Sequence, residues 1–337
     1  MGMTDESTTT PGRIDFHHHF MPTSMLTSGL FGDTSGWKFQ KGEAGWTPQV
    51  SVDFMDQLQI ATAILSIPND IESRLPEDKR RHVARELNTL TRQAMDDHPG
   101  RFGLFAHLPT PTDIDAALEE LTYAFDVLGA DGITLTNVYG VGDEARSVGD
   151  PLFEPLWAEL DRRRALVFLH GEQTPGSNRA PSEFLPTPVS ETPNETYKGA
   201  ADLVTSGRKR QFPNVRIILS HSGGSTPVLA SRVAALGAFH LGCELSADEI
   251  LADFRTFYYE TALSGFETNL VALESFVEPD HILFGTDFPA ANPKTINWFT
   301  NNVDAYFEAR PDMLARVMRD NAYSLLPRLT AGTPADR

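Results

Sequence analysis

Residues 215–221 read VRIILSH, a β-branched run that ends on a histidine. The run is too short for a helix and lacks polar alternation. It reads as a strand buried on both faces, as in a parallel sheet. The same grammar recurs outward along the chain. Upstream lie 165–170 (ALVFLH), 131–138 (DGITLTNV), 102–108 (FGLFAHL), 61–68 (ATAILSIP) and 13–20 (RIDFHHHF). Downstream lie 256–261 (TFYYET) and 281–287 (HILFGTD), which makes eight runs in all.

The stretches between these runs carry helical periodicity: 53–58, 78–98, 113–128, 155–164, 196–208, 224–235, 267–277 and 293–308. Val83, Leu87, Leu90 and Ala94 share one face of the second, and Asp113 caps the third. A last helix at 311–326 stops before Pro327. Eight strand–helix alternations predict an α/β chain folded as a single (β/α)8 TIM barrel over residues 13–328. A doubly wound sheet would not call for eight parallel strands. Residues 1–12 read as a disordered lead and 329–337 as a flexible tail. Long loops at 21–50, after strand one, and 171–195, after strand five, follow strand C-termini. Barrel enzymes keep their sites on that face.

Composition narrows the partners. The 337 residues carry a formal charge of −18, which argues against nucleic acid and against anionic lipid. A small anionic substrate stays compatible, because a local cation in a cleft outweighs a distant field. The single cysteine, Cys243, excludes an intrachain disulfide and a cysteine zinc cluster, and it suits the reducing cytoplasm. No stretch of roughly 18 apolar residues suggests a membrane span. The N-terminus lacks the apolar segment of a secretion signal.

Ten histidines are the informative feature. His17 and His19 close strand one on one face, with His18 turned away towards a helix. His170 ends strand five, His221 strand six and Asp287 strand eight. In a barrel these ends converge on one cavity. Burying imidazoles and a carboxylate without partners is costly, and a divalent cation removes that cost. Alternation also places Asp15 beneath His17, where hydrogen bonding in the barrel floor is favoured over a metal role. His82, His98 and His240 sit at solvated positions. His281 starts its strand at the wrong end, and His107 ends strand three within reach of the pocket. Cys243 lacks a histidine partner for a thiol nucleophile.

IDFHHHFMP, VFLHGEQ, ILSHSGGSTP and ILFGTDFP, taken in order, resemble the amidohydrolase superfamily. Within it they are most similar to the branch of α-amino-β-carboxymuconate-ε-semialdehyde decarboxylase and the hydroxybenzoate-type decarboxylases. The likeness runs from residue 14 to about 326. It implies one divalent metal held by His17, His19, His170 and Asp287, zinc first and manganese as the alternative. It implies His221 as acid/base, with Asp287 also in the chemistry. The reaction implied is non-oxidative decarboxylation of a small aromatic or unsaturated carboxylic acid, with no organic cofactor. Strand four offers no lysine, which favours a single ion over a bridged pair. Metal-dependent opening of a lactone or ester is the alternative, and a non-catalytic metal-binding protein a third. Arg179, Lys41 and Lys38 could meet a carboxylate from the long loops, and Trp46, Trp37 and Phe39 could stack on a ring. The resemblance further implies a homodimer or higher homo-oligomer, with Arg232 reaching towards a neighbouring site.

Overall fold

The computed structural model describes residues 12–22, 46–67, 75–140, 142–171, 182 and 184–332. Eight strands follow one another in chain order in one sheet: β1 (Arg13–His19), β2 (Ile60–Ser66), β3 (Phe102–Ala106), β4 (Gly132–Thr136), β5 (Leu166–His170), β6 (Arg216–Leu219), β7 (Tyr258–Glu260) and β8 (Ile282–Leu283). Every neighbouring pair is parallel. The sheet closes on itself where Phe16 N–H donates to Phe284 O at 3.0 Å and His19 N–H to Phe288 O at 2.7 Å. The chain is a (β/α)8 barrel.

Period-two alternation sorts the strand residues. Phe16, Ile64, Phe105, Phe168, Ile218 and Leu283 form one buried apolar cluster inside the barrel. Phe105 stacks on Phe168 at 5.8 Å and on Phe16 at 6.2 Å. Ile133, Val167, Leu169, Ile217 and Leu219 face outward into the helix layer. The interior is a packed, mainly apolar plug, and the histidines lie at the C-terminal ends of the strands.

β1 departs from simple alternation. Its register against β2 shifts between Asp15 and His18. Phe16 faces the interior, and after the shift so do His17 and His19. This corrects the expectation for Asp15, which lies on the His18 side rather than beneath His17. Its carboxylate accepts from Thr286 N–H at 3.0 Å, Thr286 Oγ1 at 2.6 Å and His17 N–H at 3.0 Å. It also meets His18 Nδ1 at 3.0 Å. Asp15 therefore fastens β1 to the segment after β8. A bulge of this kind re-aims side chains next to a functional site.

The outer layer comprises α1 (Pro48–Gln57), α2 (Glu77–Asp97), α3 (Ile114–Asp126), α4 (Glu154–Arg163), α5 (Thr192–Thr205), α6 (Thr226–Phe239), α7 (Ala247–Arg255), α8 (Glu267–Phe276) and α9 (Pro293–Phe307). Thr47 and Asp113 cap α1 and α3 through their side chains, as their residue types favour. Short helices at Pro311–Ala315 and Asn321–Leu325 close the layer. Helix α7 is additional to the expected set, although its capping box, Ser246 with Glu249, stands in the sequence. α5 starts at Thr192, which shortens the 171–195 loop, and a ribbon pairs Val138–Tyr139 with Arg146–Ser147. Residues 1–11 and 333–337 of the expected termini lie outside the described residues, while Pro327–Gly332 forms a 3-10 turn. Among the described residues no helix is long and apolar enough to cross a membrane.

One buried side chain secures the end of β3. Asn88 of α2 accepts from His107 N–H at 2.8 Å and donates to His107 O at 2.7 Å. Its second N–H goes to Glu120 at 2.8 Å. Asn88→Ala strands both main-chain groups, so we expect a loss of about 2–4 kcal/mol. Urea unfolding measures this, and a change under about 0.5 kcal/mol, the range of a neutral surface substitution, would contradict the clamp.

Candidate metal centre

The strand ends deliver five side chains to one point. His17 and His19 come from β1, and their Nε2 atoms stand 3.1 Å apart. His170 is the last residue of β5, its ring 5.1 Å from that of His17 and 5.4 Å from that of His19. His221 lies past the end of β6, in a 3-10 turn, with its ring 4.7 Å from His17. Asp287 follows β8, and its Oδ1 is 2.9 Å from His19 Nε2 and 3.2 Å from His17 Nε2. All five are buried. Phe168 meets His17 edge-on at 5.0 Å and forms the floor.

His221 and Asp287 hold left-handed backbone, with φ of 54° and 66°. Such conformations cost energy in non-glycine residues and persist where the surroundings enforce them, most often at functional sites. Asp287 N–H donates to His17 O at 2.7 Å, and His221 N–H to Glu260 Oε1 at 2.6 Å, so each strained residue is pinned by its main chain.

The outer ring nitrogens have acceptors. His17 Nδ1 faces Glu260 Oε1 at 2.7 Å, His170 Nδ1 faces Gly171 O at 3.1 Å, and His221 Nδ1 faces Ala262 O at 3.2 Å. His19 Nδ1 stands 3.3 Å from Ser66 Oγ. An Nδ1–H committed to an acceptor leaves the Nε2 lone pair for an ion. Two overlapping triads result, His17–His170–His221 and His17–His19–Asp287, each with its ligand atoms within 4.8 Å of one another.

Charge points the same way. Burial depresses the basicity of His170 strongly, and that of His19 and His221 as well. Lowered basicity favours the neutral form of these three imidazoles, the form that metal binding requires. At His17 burial acts in the same sense but is outweighed by Glu260 and Asp287, and its pKa is pushed up to about 10. Burial opposes ionisation of Asp287 and Glu260, yet the adjacent imidazoles, His17 foremost, hold both below the usual carboxylate range. Two buried anions flanking His17 call for positive charge at this point. Asp287 Oδ1 is close to two imidazole nitrogens but aligned with neither, which leaves it a buried oxygen without a hydrogen-bond donor. Ligands on one ion with bonds of about 2.0–2.1 Å stand roughly 3.0–3.4 Å apart. The donor set and its spacing fit a divalent cation.

Glu260 was absent from the expected site. It closes β7 as the one charged residue of TFYYET, the same signal that marks His170 and His221. Room for its carboxylate comes from Gly285, where an added Cβ would stand 2.9 Å from His17 Cβ and closer still to Glu260 Oε2. Of the expected substrate contacts, Lys38, Lys41, Trp37, Phe39 and Arg179 lie outside the described residues. Trp46 is buried behind β1, edge-on to Phe20 at 5.1 Å, with its Nε1–H on Ser51 Oγ at 3.1 Å. Ser51 Oγ also meets His18 Nε2 at 2.8 Å. His18 thus faces α1, as alternation requires. His82 and His240 are exposed, and so is Arg232 on α6.

Comparison with known proteins places these residues in a family. The amidohydrolase family model matches residues 14–328. Decarboxylase yanB of Aspergillus niger is 39% identical over 96% of this chain and 89% of its own length. The 6-methylsalicylic acid decarboxylase acuB of Aspergillus aculeatus is 40% identical over 94% of this chain and 96% of its own. The crystal structure of a dihydroxybenzoic acid decarboxylase from Polaromonas, with bound manganese and 2-nitroresorcinol, superposes with a TM-score of 0.78 at 22% identity. It covers 97% of this chain and 99% of that one, and shares the fold. With its barrel, its histidine-rich rim and this family match, the chain belongs to the amidohydrolase family, in the branch of the aromatic-acid decarboxylases.

Proposed function

We propose that this chain is a metal-dependent, non-oxidative carboxy-lyase acting on a small hydroxybenzoate-like acid. The observation that carries the reading is the convergence of four imidazoles and one carboxylate above an aromatic floor, in a chain 40% identical to a 6-methylsalicylic acid decarboxylase. His17, His19, His170 and Asp287 hold one divalent ion, zinc or manganese. When bound, the ion supplies a Lewis acid that orients the substrate's carboxylate or ortho hydroxyl. Phe168 bars water from below.

His221 is the proton carrier in this reading. Its Nδ1–H is committed to Ala262 O, so the Nε2 lone pair faces the cavity, takes up the proton of the substrate's acidic hydroxyl or carboxyl group and passes it on. The proton is delivered to the ring carbon that bears the carboxylate, forming a C–H bond. The C–C bond then breaks, its electron pair returns to the ring, and carbon dioxide leaves. An imidazole suits this task because it can take up and release a proton within one cycle, and burial, which lowers the basicity of His221, makes the protonated ring the stronger acid. Cytoplasmic location and a homo-oligomer complete the proposal. The single cysteine supports the first, and exposed Val228, Phe239 and Leu241 on and beside α6 support the second.

Carbon dioxide release from 6-methylsalicylate and dihydroxybenzoates, measured before and after chelation and with zinc or manganese restored, tests the reading. We expect release that chelation removes and metal returns. Ring-opened acid from a lactone, with no carbon dioxide from the panel, would favour hydrolysis instead.

A further inference from the structure

We propose that Glu260 is a positioning residue that couples the metal centre to proton delivery, by holding the His17 imidazole and the His221 main chain with one carboxylate oxygen. The proposal rests on the reading of His17 as a ligand and His221 as the proton donor.

The geometry is a closed circuit. Glu260 Oε1 accepts from His17 Nδ1–H at 2.7 Å and from His221 N–H at 2.6 Å. Glu260 Oε2 accepts from Ala262 N–H at 2.6 Å. Ala262 O in turn receives His221 Nδ1–H at 3.2 Å. Both the backbone and the ring of His221 are therefore referred to the carboxylate that orients His17. Glu260 is fully buried, and His17 is its one ion-pair partner among the described residues. A buried carboxylate this costly is poorly explained by packing alone. Three N–H groups converge on an acceptor with no proton of its own. Glutamine cannot replace it. Whichever way its amide is turned, an NH2 group faces at least one of those N–H donors.

Glu260→Gln separates the two halves of the role. Competition with a chelator should show metal affinity down about 10–100-fold, the usual loss when a partner of a ligating histidine is removed. At saturating metal, kcat should stay about tenfold or more below wild type with KM little changed, because His221 is displaced. In a His221→Ala background the affinity loss should persist and the kcat loss should vanish. Full recovery of kcat at saturating metal, or unchanged metal affinity, overturns the coupling. A second measurement needs no variant. In the cobalt-loaded wild type, the shifted His17 Nδ1–H proton resonance should exchange slowly with solvent, and rapid exchange overturns the hydrogen bond. Failure of the underlying reading registers separately. A wild type that binds metal and releases no carbon dioxide removes the kcat half, while the affinity and exchange measurements still decide whether Glu260 orients His17.

Discussion

Asp287→Ala is expected to empty the metal centre and to lower activity to that of chelated protein. Its Oδ1 stands 2.9 Å from His19 Nε2 and 3.2 Å from His17 Nε2, where it would supply the anionic donor to a bound ion. In the variant, His17, His19 and His170 would face a bound ion without a counter-charge on that side. Removing a residue that merely supports a ligand costs about 10–100-fold in affinity, so removing a ligand should cost more than about 100-fold. The barrel should survive, because Asp287 lies beyond β8 and the plug of Phe16, Phe105 and Phe168 does not involve it. Elemental analysis of the folded variant decides the matter. One retained metal equivalent with undiminished carbon dioxide release would remove Asp287 from the ligand set.

His221→Ala carries the second large effect. Loss of a general acid typically costs about 10²–10⁴-fold in rate. We expect kcat to fall within that range while metal content stays at one per chain, since His17, His19, His170 and Asp287 still supply four donors. KM should move little, because the proton matters in the transition state. Turnover of wild type in deuterium oxide should place one deuterium at the ring position vacated by the carboxylate. A variant that loses its metal would identify His221 as a ligand, in keeping with its place in the His17–His170–His221 triad.

Much of this could be read before any coordinates. Strands buried on both faces need unbroken apolar runs, so a histidine at the end of ALVFLH or VRIILSH is conspicuous. The ligand candidates His17, His19, His170 and Asp287 were legible for that reason, and the structure brings them together with His221. Glu260 was equally conspicuous by charge, but TFYYET lies outside the four motifs that carry the family resemblance. Asp15 could not be placed by counting, because alternation holds only while the register does. Helix α7 is short, and its signal lay in the Ser246–Glu249 pair rather than in periodicity. The expected substrate contacts Arg179 and Lys41 lie outside the described residues, in stretches of sequence where no repeating pattern links residue to position.

The register shift in β1 has a consequence for how this gene can change. Phe16, which seals the barrel, and His17, which joins the histidine cluster, are consecutive residues facing the same way, with no spacer between them. Exchanging one side chain there alters the cluster or the plug. Inserting one residue between Asp15 and Phe16, with the upstream register kept, would turn both imidazoles towards the helix layer. It would bring His18 inward, away from Ser51. This strand can therefore vary in spelling but not in length, and a single-codon insertion should be as damaging here as the loss of the whole histidine pair.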